Sequence, residues 1–312
     1  MERAAHDLPE LPAVGVIGTG AMGLGVVHSL RRNGAAVLAR DIDPAAEARA
    51  VGAGARACPS PAAMAAGSSV VVVLVVDAAQ VDAVLFGDDG AVAAMQSGAT
   101  VLICSTVPPA FVADAAARLA GRGIALVDAP VSGGPTRAAD GSMTMMLAGD
   151  EYAIRTCEPV LAAMAARRFV VGKRPGDAAT VKVLNNQLAA TNLAAGAEAF
   201  ALAARSGIDP RLLLDVVNAS SGASWIVDDR MRRRLAGDRS VHAAMTLLAK
   251  DIGIAADHAA SFDVDAPVLR AARATFAAAL AGGYAQRDDG ALVDYAIERA
   301  GQLSQGASSS WR

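Results

Sequence analysis

Residues 14 to 23 read Val-Gly-Val-Ile-Gly-Thr-Gly-Ala-Met-Gly, which spaces Gly18, Gly20 and Gly23 as G-x-G-x-x-G. A short β-branched run, Ala13 to Ile17, precedes the glycines and a helix-compatible segment follows them, so they occupy a strand-to-helix turn. In such a turn the first glycine permits the tight bend, the second lets the backbone approach a pyrophosphate, and the third allows close helix-strand packing. The N–H groups that open the helix then face the anion. Thr19, Ala21 and Met22 fill the other loop positions and are expected to line the cofactor with the glycines. Asp41 comes shortly after the next β-branched run, Ala35 to Ala39. A carboxylate there can accept hydrogen bonds from ribose hydroxyls and repels a 2′-phosphate, so NAD is expected in preference to NADP. Arg40, its neighbour, could instead meet that phosphate.

Outward from this loop the alternation continues. Val70 to Val76, Thr100 to Cys104 and Ile124 to Val127 are further β-branched runs separated by Ala-rich segments able to form helices. That pattern predicts an α/β fold: a Rossmann-type, doubly wound parallel sheet with helices on both faces. Leu147 to Ala148 and Arg168 to Val171 could add strands near its end. After about Gly176 long helical stretches take over, such as Ala179 to Ser206. Ser206-Gly207-Ile208-Asp209-Pro210 then ends one helix with a glycine and opens the next with an Asp N-cap and a Pro. The expected division is therefore 1–175 for the dinucleotide domain and 176–312 for an all-α domain, with Ser304 to Arg312 as a frayed tail.

Composition narrows the function. A length of 312 residues suits two domains of about 150 each. Hydrophobic residues at 54% with charged residues at 19% argue against disorder. The longest run of large apolar side chains, Val70 to Val76, falls far short of the roughly 20 residues of a membrane helix. The opening Met-Glu-Arg-Ala-Ala-His-Asp-Leu has no basic start leading into an apolar stretch, so no export is expected. Cys58, Cys104 and Cys157 are scattered without metal spacing and read as reduced core thiols of a cytoplasmic protein. His6, His28, His242 and His258 match no metal or triad spacing, and no metal is expected. A net charge of −3 with 4% aromatics gives neither the basic footprint nor the stacking surface of a nucleic-acid binder. A small molecule is the expected partner. Met143, Met145 and Met146 read as core packing, and Arg230, Arg232, Arg233 and Arg234 as a solvated helix face or an interface.

Two further stretches carry candidate chemistry. Residues 128 to 134, Asp-Ala-Pro-Val-Ser-Gly-Gly, follow a strand and so lie at its carboxyl end, where open α/β sheets bind ligands. The Ser132-Gly133-Gly134 turn could offer successive N–H groups and a hydroxyl to a carboxylate, and reads equally as an ordinary glycine turn. In the helix that follows Gly176, Lys182 and Asn186 are four apart and share a face. Among Ala, Val and Leu that face should be buried, where a desolvated lysine gives up its proton readily. Taken alone, a helical lysine is more often a solvated one.

Gly18 to Gly23, Asp128 to Gly134 and Lys182 to Asn186, together with Ser105-Thr106 and Lys250-Asp251, resemble in this order the β-hydroxyacid dehydrogenase family. That family includes 3-hydroxyisobutyrate dehydrogenase and tartronate semialdehyde reductase, and the resemblance spans nearly the whole chain. Leu74 to Val81, Leu85-Phe-Gly87, Ser224-Trp225 and Arg230-Met231 look like its L-threonate dehydrogenase branch, whereas Asn185-Asn186 is similar to the 3-hydroxyisobutyrate type. The resemblance implies a Rossmann domain, a long interdomain helix and an all-α C-terminal domain like that of 6-phosphogluconate dehydrogenase, which contributes to a homodimer or homotetramer. It implies NAD-dependent oxidation of a small hydroxy acid: L-threonate in that branch, 3-hydroxyisobutyrate or tartronate semialdehyde chemistry elsewhere. By the same resemblance Ser132, Gly133 and Gly134 hold the substrate carboxylate, Lys182 is the general acid/base and Asn186 orients the hydroxyl. Val76 and Thr106 lie near the nicotinamide, Lys250 closes over cofactor or substrate, and Trp225 borders the substrate pocket, although an indole in a helical domain reads equally as core. Related Rossmann-plus-helical proteins reduce imines or bind the dinucleotide without turnover, often with the lysine replaced.

Overall fold

The computed structural model describes residues 11 to 302. His6, most of the opening segment and the tail from Ser304 lie outside the described residues. The chain divides into two compact units, Met1–Lys182 and Val183–Arg312.

The first unit alternates strand and helix: β1 (Val14–Ile17), α1 (Ala21–Arg32), β2 (Val37–Arg40), α2 (Pro44–Gly52), β3 (Arg56–Ala57), α3 (Pro61–Ala65), β4 (Val70–Val73), α4 (Ala78–Phe86), β5 (Thr100–Ile103), α5 (Pro109–Ala120) and β6 (Ala125–Asp128). These strands pair in parallel in the order β3-β2-β1-β4-β5-β6. The order reverses between β1 and β4, which makes a crevice at their carboxyl ends, the usual ligand position of an open α/β sheet. Why the strands read as continuous apolar runs is visible in β4. Val70 and Val72 pack into the core on one face, Val71 and Val73 into the core on the other. A strand covered on both sides has no polar-out face.

The chain continues through β7 (Val131–Ser132), α6 (Gly134–Asp140), β8 (Thr144–Gly149), α7 (Glu151–Thr156), α8 (Glu158–Met164) and β9 (Arg167–Gly172). Here the sheet stops being all parallel: β8 runs antiparallel to β6 and β7, and β9 is its parallel neighbour at the edge. Met143, Met145 and Met146 are buried as core residues. The Val70 to Val76 run leaves the sheet after Val73, because the chain turns at Leu74 to close over Gly18. The two-residue strands β3 and β7 have no apolar run to announce them.

In the second unit α9 (Asp177–Arg205), which begins in the first, is followed by α10 (Pro210–Asn218), α11 (Trp225–Leu235), α12 (Met245–Ala260), α13 (Pro267–Ala279) and α14 (Leu292–Gln302). Phe200, Phe276, Met245 and Ile252 are central to its core. Gly207 takes a φ of +70°, and the Asp209 carboxylate accepts from the Arg211 N–H at 2.8 Å, so the punctuation between α9 and α10 is as the sequence indicates. The arginines of α11 are a correction. Arg232 is exposed beside Asp228, but Arg230, Arg233 and Arg234 are largely buried and paired. Arg230 meets Asp289 through Nε and Nη2, Arg233 meets Asp288 at 3.1 Å, and Arg234 meets Asp294 at 3.0 Å. The face expected to be solvated is instead a buried ion-pair network that ties α11 to the segment opening α14.

Cys58, Cys104 and Cys157 are buried free thiols. Among the described residues no helix is long and apolar enough to cross a membrane, and no group of His, Cys, Asp or Glu could hold a metal.

Candidate active site

The three glycines of the loop meet three different demands. Gly18 has a φ of +87°, and a Cβ there would lie 2.5 Å from the Leu74 carbonyl oxygen. A Cβ at Gly23 would lie 1.8 Å from the Gly18 carbonyl oxygen, so α1 can pack on the loop only without a side chain. Gly20 differs: its φ is −58°, and a Cβ would meet nothing within 4 Å. The protein itself therefore gives no reason for glycine at this position. Gly20 also precedes α1, whose N-terminus has no side-chain cap and no acidic residue in its first turn. An open approach to backbone beside an uncapped 12-residue helix fits a dinucleotide pyrophosphate.

Around the loop, Thr19 is buried, Met22 half-buried and Ala21 exposed. Asp41 lies just past β2, and its Oδ2 accepts from the Thr19 N–H at 2.5 Å and from the Thr19 hydroxyl at 3.2 Å, while Oδ1 accepts from the Asp43 N–H at 2.9 Å. The carboxylate thus latches the loop to the end of β2 and keeps about one acceptor site open, since it can accept about four hydrogen bonds. Arg40 turns to Glu47 at 3.1 Å and to the Asp41 carbonyl. Val76 follows β4 and is half exposed, its N–H donating to Gln80 Oε1 at 2.9 Å. Thr106 follows β5 and is half-buried.

Asp128 ends β6 and is buried. Its Oδ2 accepts from the N–H groups of Gly176 and Ala179, each at 2.9 Å, at the start of α9. Burial pushes this carboxyl up to about 6, against the lowering effect of those N–H groups. Ser132 lies in β7 and is half-buried. Gly133 and Gly134 both have positive φ, 136° and 77°, a conformation that requires glycine, so this is a built turn. Further along α9, Lys182 is only 8% exposed, with Ala178, Ala179 and Val183 buried beside it. The sequence-level expectation of a buried lysine is met.

In the second unit, Asn186 is buried one turn after Lys182 on the same helix. Its Nδ2 donates to Asp251 Oδ2 at 2.6 Å, and its Oδ1 accepts from Asn185 Nδ2 at 3.1 Å. Asp251 Oδ1 accepts from Lys250 Nζ at 2.7 Å. Asp251 is the residue that sequence reasoning left without a role, yet it holds both Asn186 and Lys250. A signal was present: Asp251 shares the apolar face of α12 with Leu248, Ile252 and Ala255, and a carboxylate on such a face needs a partner. Trp225 opens α11 and is 51% exposed, which excludes the core reading. With Asn218, Ser224 and Asp228 it lines a surface pocket of about 290 Å³. Of the histidines, His28 is exposed, His242 lies 3.3 Å from Asp238, and His258 packs edge-on to Phe262.

Both parts of the chain match families of known proteins. Residues 13–172 match the NAD binding domain of 6-phosphogluconate dehydrogenase, and residues 176–296 match the family described as NAD-binding of NADP-dependent 3-hydroxyisobutyrate dehydrogenase. The L-threonate dehydrogenase of Cupriavidus necator is 43% identical over 280 residues, covering 90% of this chain and 94% of that protein. The NAD-dependent L-serine dehydrogenase of Pseudomonas aeruginosa is 33% identical over 282 residues, covering 88% of this chain and 94% of that one. A crystal structure described as 3-hydroxyisobutyrate dehydrogenase from Salmonella typhimurium superposes with a TM-score of 0.85 at 38% identity, over 91% of this chain and 99% of the other. With the glycine loop at the sheet's reversal point and a buried lysine in the second turn of α9, these matches make the chain a member of the 3-hydroxyisobutyrate dehydrogenase-like family of NAD-binding oxidoreductases.

Proposed function

We propose that this enzyme oxidises L-threonate to 2-dehydro-L-erythronate with NAD. The observation that carries the reading is the burial of Lys182 on a helix anchored to the carboxyl end of the sheet. A bound NAD supplies the hydride acceptor. The Ser132-Gly133-Gly134 turn holds the substrate carboxylate, and Lys182 Nζ takes up the hydroxyl proton during oxidation and returns it in the reverse direction. Asn186, its amide fixed by Asp251, orients the hydroxyl. Val76 and Thr106 border the nicotinamide, and Lys250, paired with Asp251, stabilises bound cofactor or substrate. A protein that only reads the dinucleotide has no use for this lysine.

The substrate follows the L-threonate dehydrogenase at 43% identity. A second reading, 3-hydroxyisobutyrate or tartronate semialdehyde as substrate, is favoured by Asn185-Asn186. Purified enzyme assayed for NAD reduction with L-threonate, D-glycerate and 3-hydroxyisobutyrate separates the two. Activity on L-threonate is expected to dominate, and strong activity on 3-hydroxyisobutyrate with none on threonate would overturn the choice.

NAD is preferred to NADP because Asp41 keeps a carboxylate at the ribose position while Arg40 is engaged by Glu47. Asp41→Ala is expected to narrow the NAD-over-NADP ratio of kcat/KM by about tenfold, one repulsive contact's worth. A higher kcat/KM with NADP in the unaltered enzyme would reject the preference. The enzyme works as a homodimer or homotetramer: Leu184 and Leu188 are exposed one turn apart on α9, and Leu212 and Val216 one turn apart on α10. Apolar surface of this kind is normally covered, and light scattering is expected to give a mass of two or four chains; a monomer at micromolar concentration would refute it. Three buried free cysteines and the use of NAD support a cytoplasmic activity.

A further inference from the structure

A base must be held where its nitrogen meets the reacting oxygen, yet the first turn of a helix is its least constrained part, because its N–H groups have no acceptors within the helix. Lys182 sits only five residues past Asp177, where α9 begins. The chain reaches that point from the edge strand β9 through a connection that ends at Gly176, whose φ is +100° and where a Cβ would lie 2.7 Å from the Pro109 carbonyl oxygen. Thr180 and Asp177 make local hydrogen bonds here, to the Gly176 carbonyl and from Arg174, and one side chain ties the entry to the sheet. Asp128 Oδ2 accepts from the Gly176 and Ala179 N–H groups together, and Ala179 stands three residues, about 4.5 Å of helix rise, before Lys182.

Asp128 is itself fixed. It is the last residue of β6, paired with Ile103 of β5 on one side and Ala148 of β8 on the other. Four residues later the same chain forms the Ser132-Gly133-Gly134 turn. The strand end that leads into the carboxylate-binding turn thus also grips the helix that carries the base.

We propose that Asp128 is a positioning residue, whose buried carboxylate fastens the first turn of α9 to the end of β6 and so sets Lys182 against the Ser132 to Gly134 turn. This rests on the reading of Lys182 as the base. It has a thermodynamic corollary that separates positioning from plain stability. Burial is the largest influence on Asp128, Asp177 from α9 adds to it, and Cys104 from the end of β5 faces the same carboxylate. The folded protein therefore binds the Asp128 proton more tightly than the unfolded chain does. Its contribution to stability is present below about pH 4 and is lost as pH rises towards 6. An amide in its place avoids that loss while gripping the two N–H groups less strongly, since charged acceptors make the stronger hydrogen bonds.

Asp128→Asn is the test, made in the full-length enzyme beside Lys182→Ala. The expected result is a kcat lowered about 10- to 100-fold, the scale of a small misplacement of a reacting group, with KM and NADH affinity changed less than about threefold. Its melting temperature at pH 7 is expected to match or exceed wild type, and hydrogen exchange at the Ala179 amide to accelerate. A kcat within twofold of wild type, or a loss of melting temperature in step with kcat, overturns the proposal, as does unchanged exchange at Ala179. Wild-type turnover in Lys182→Ala would instead sink the base assignment, and the exchange measurement on Asp128→Asn would still decide whether the carboxylate anchors the helix.

Discussion

Lys182→Ala is expected to lower kcat by about 10²-fold or more, the usual contribution of a positioned general acid/base, while NADH still binds. The retained binding follows from where the lysine sits. It belongs to α9, whereas the proposed cofactor contacts are the Gly18 to Gly23 backbone for the pyrophosphate and Asp41, beside that loop, for the adenosine end. Lys182→Arg is the sharper variant: it keeps a cation at the site, but a guanidinium stays protonated in proteins and cannot take up the hydroxyl proton. Both substitutions should therefore fall to a similar low turnover, read by steady-state kinetics with NADH binding followed by fluorescence. If either turns over like wild type, Lys182 does not move the proton.

The second large effect separates two glycines three residues apart. Gly23→Ala forces a Cβ to within 1.8 Å of the Gly18 carbonyl oxygen, backbone that cannot move without displacing α1 from β1. A loss of about 3 kcal/mol or more is expected, at or beyond the upper end of ordinary overpacking, visible as a lower denaturation midpoint without any ligand. Gly20→Ala meets nothing within 4 Å and should leave the unliganded midpoint unchanged. Its cost appears only on binding, where the added methyl stands in the path of the pyrophosphate, and NADH affinity should fall on the order of 10²-fold, about 2.7 kcal/mol. A Gly20→Ala enzyme that binds NADH normally would mean that the loop does not cradle the phosphates.

These two glycines also mark how far the sequence can be read. The motif and its strand-helix context were legible, and so was the parallel sheet, because strands covered on both faces must be apolar along their whole length, as Val70 to Val73 are. Arg230, Arg233 and Arg234 of α11 were misread because they pair with Asp289, Asp288 and Asp294, more than fifty residues away, and charge pairs across that distance leave no local pattern. Strands β3 and β7, two residues each, are set by pairing with β2 and β8 and carry no period of their own. Spacing put Lys182 and Asn186 on one helix face and the family resemblance gave them roles, but Asp128 and Asp251, which hold the helix start and the asparagine, emerged only when the acceptors of particular N–H groups could be followed.

The three cysteines give the fold a chemical clock. Burial pushes the thiols of Cys58, Cys104 and Cys157 above their ordinary range, so the thiolate that alkylating reagents attack is scarce as well as shielded. Cys104 and Cys157 lie in the core on one face of the sheet and Cys58 in the core on the other. Labelling each sulfur against time would therefore report how often each side of the dinucleotide unit breathes open, and saturating NADH should slow the clocks that tick through movements of the cofactor loop.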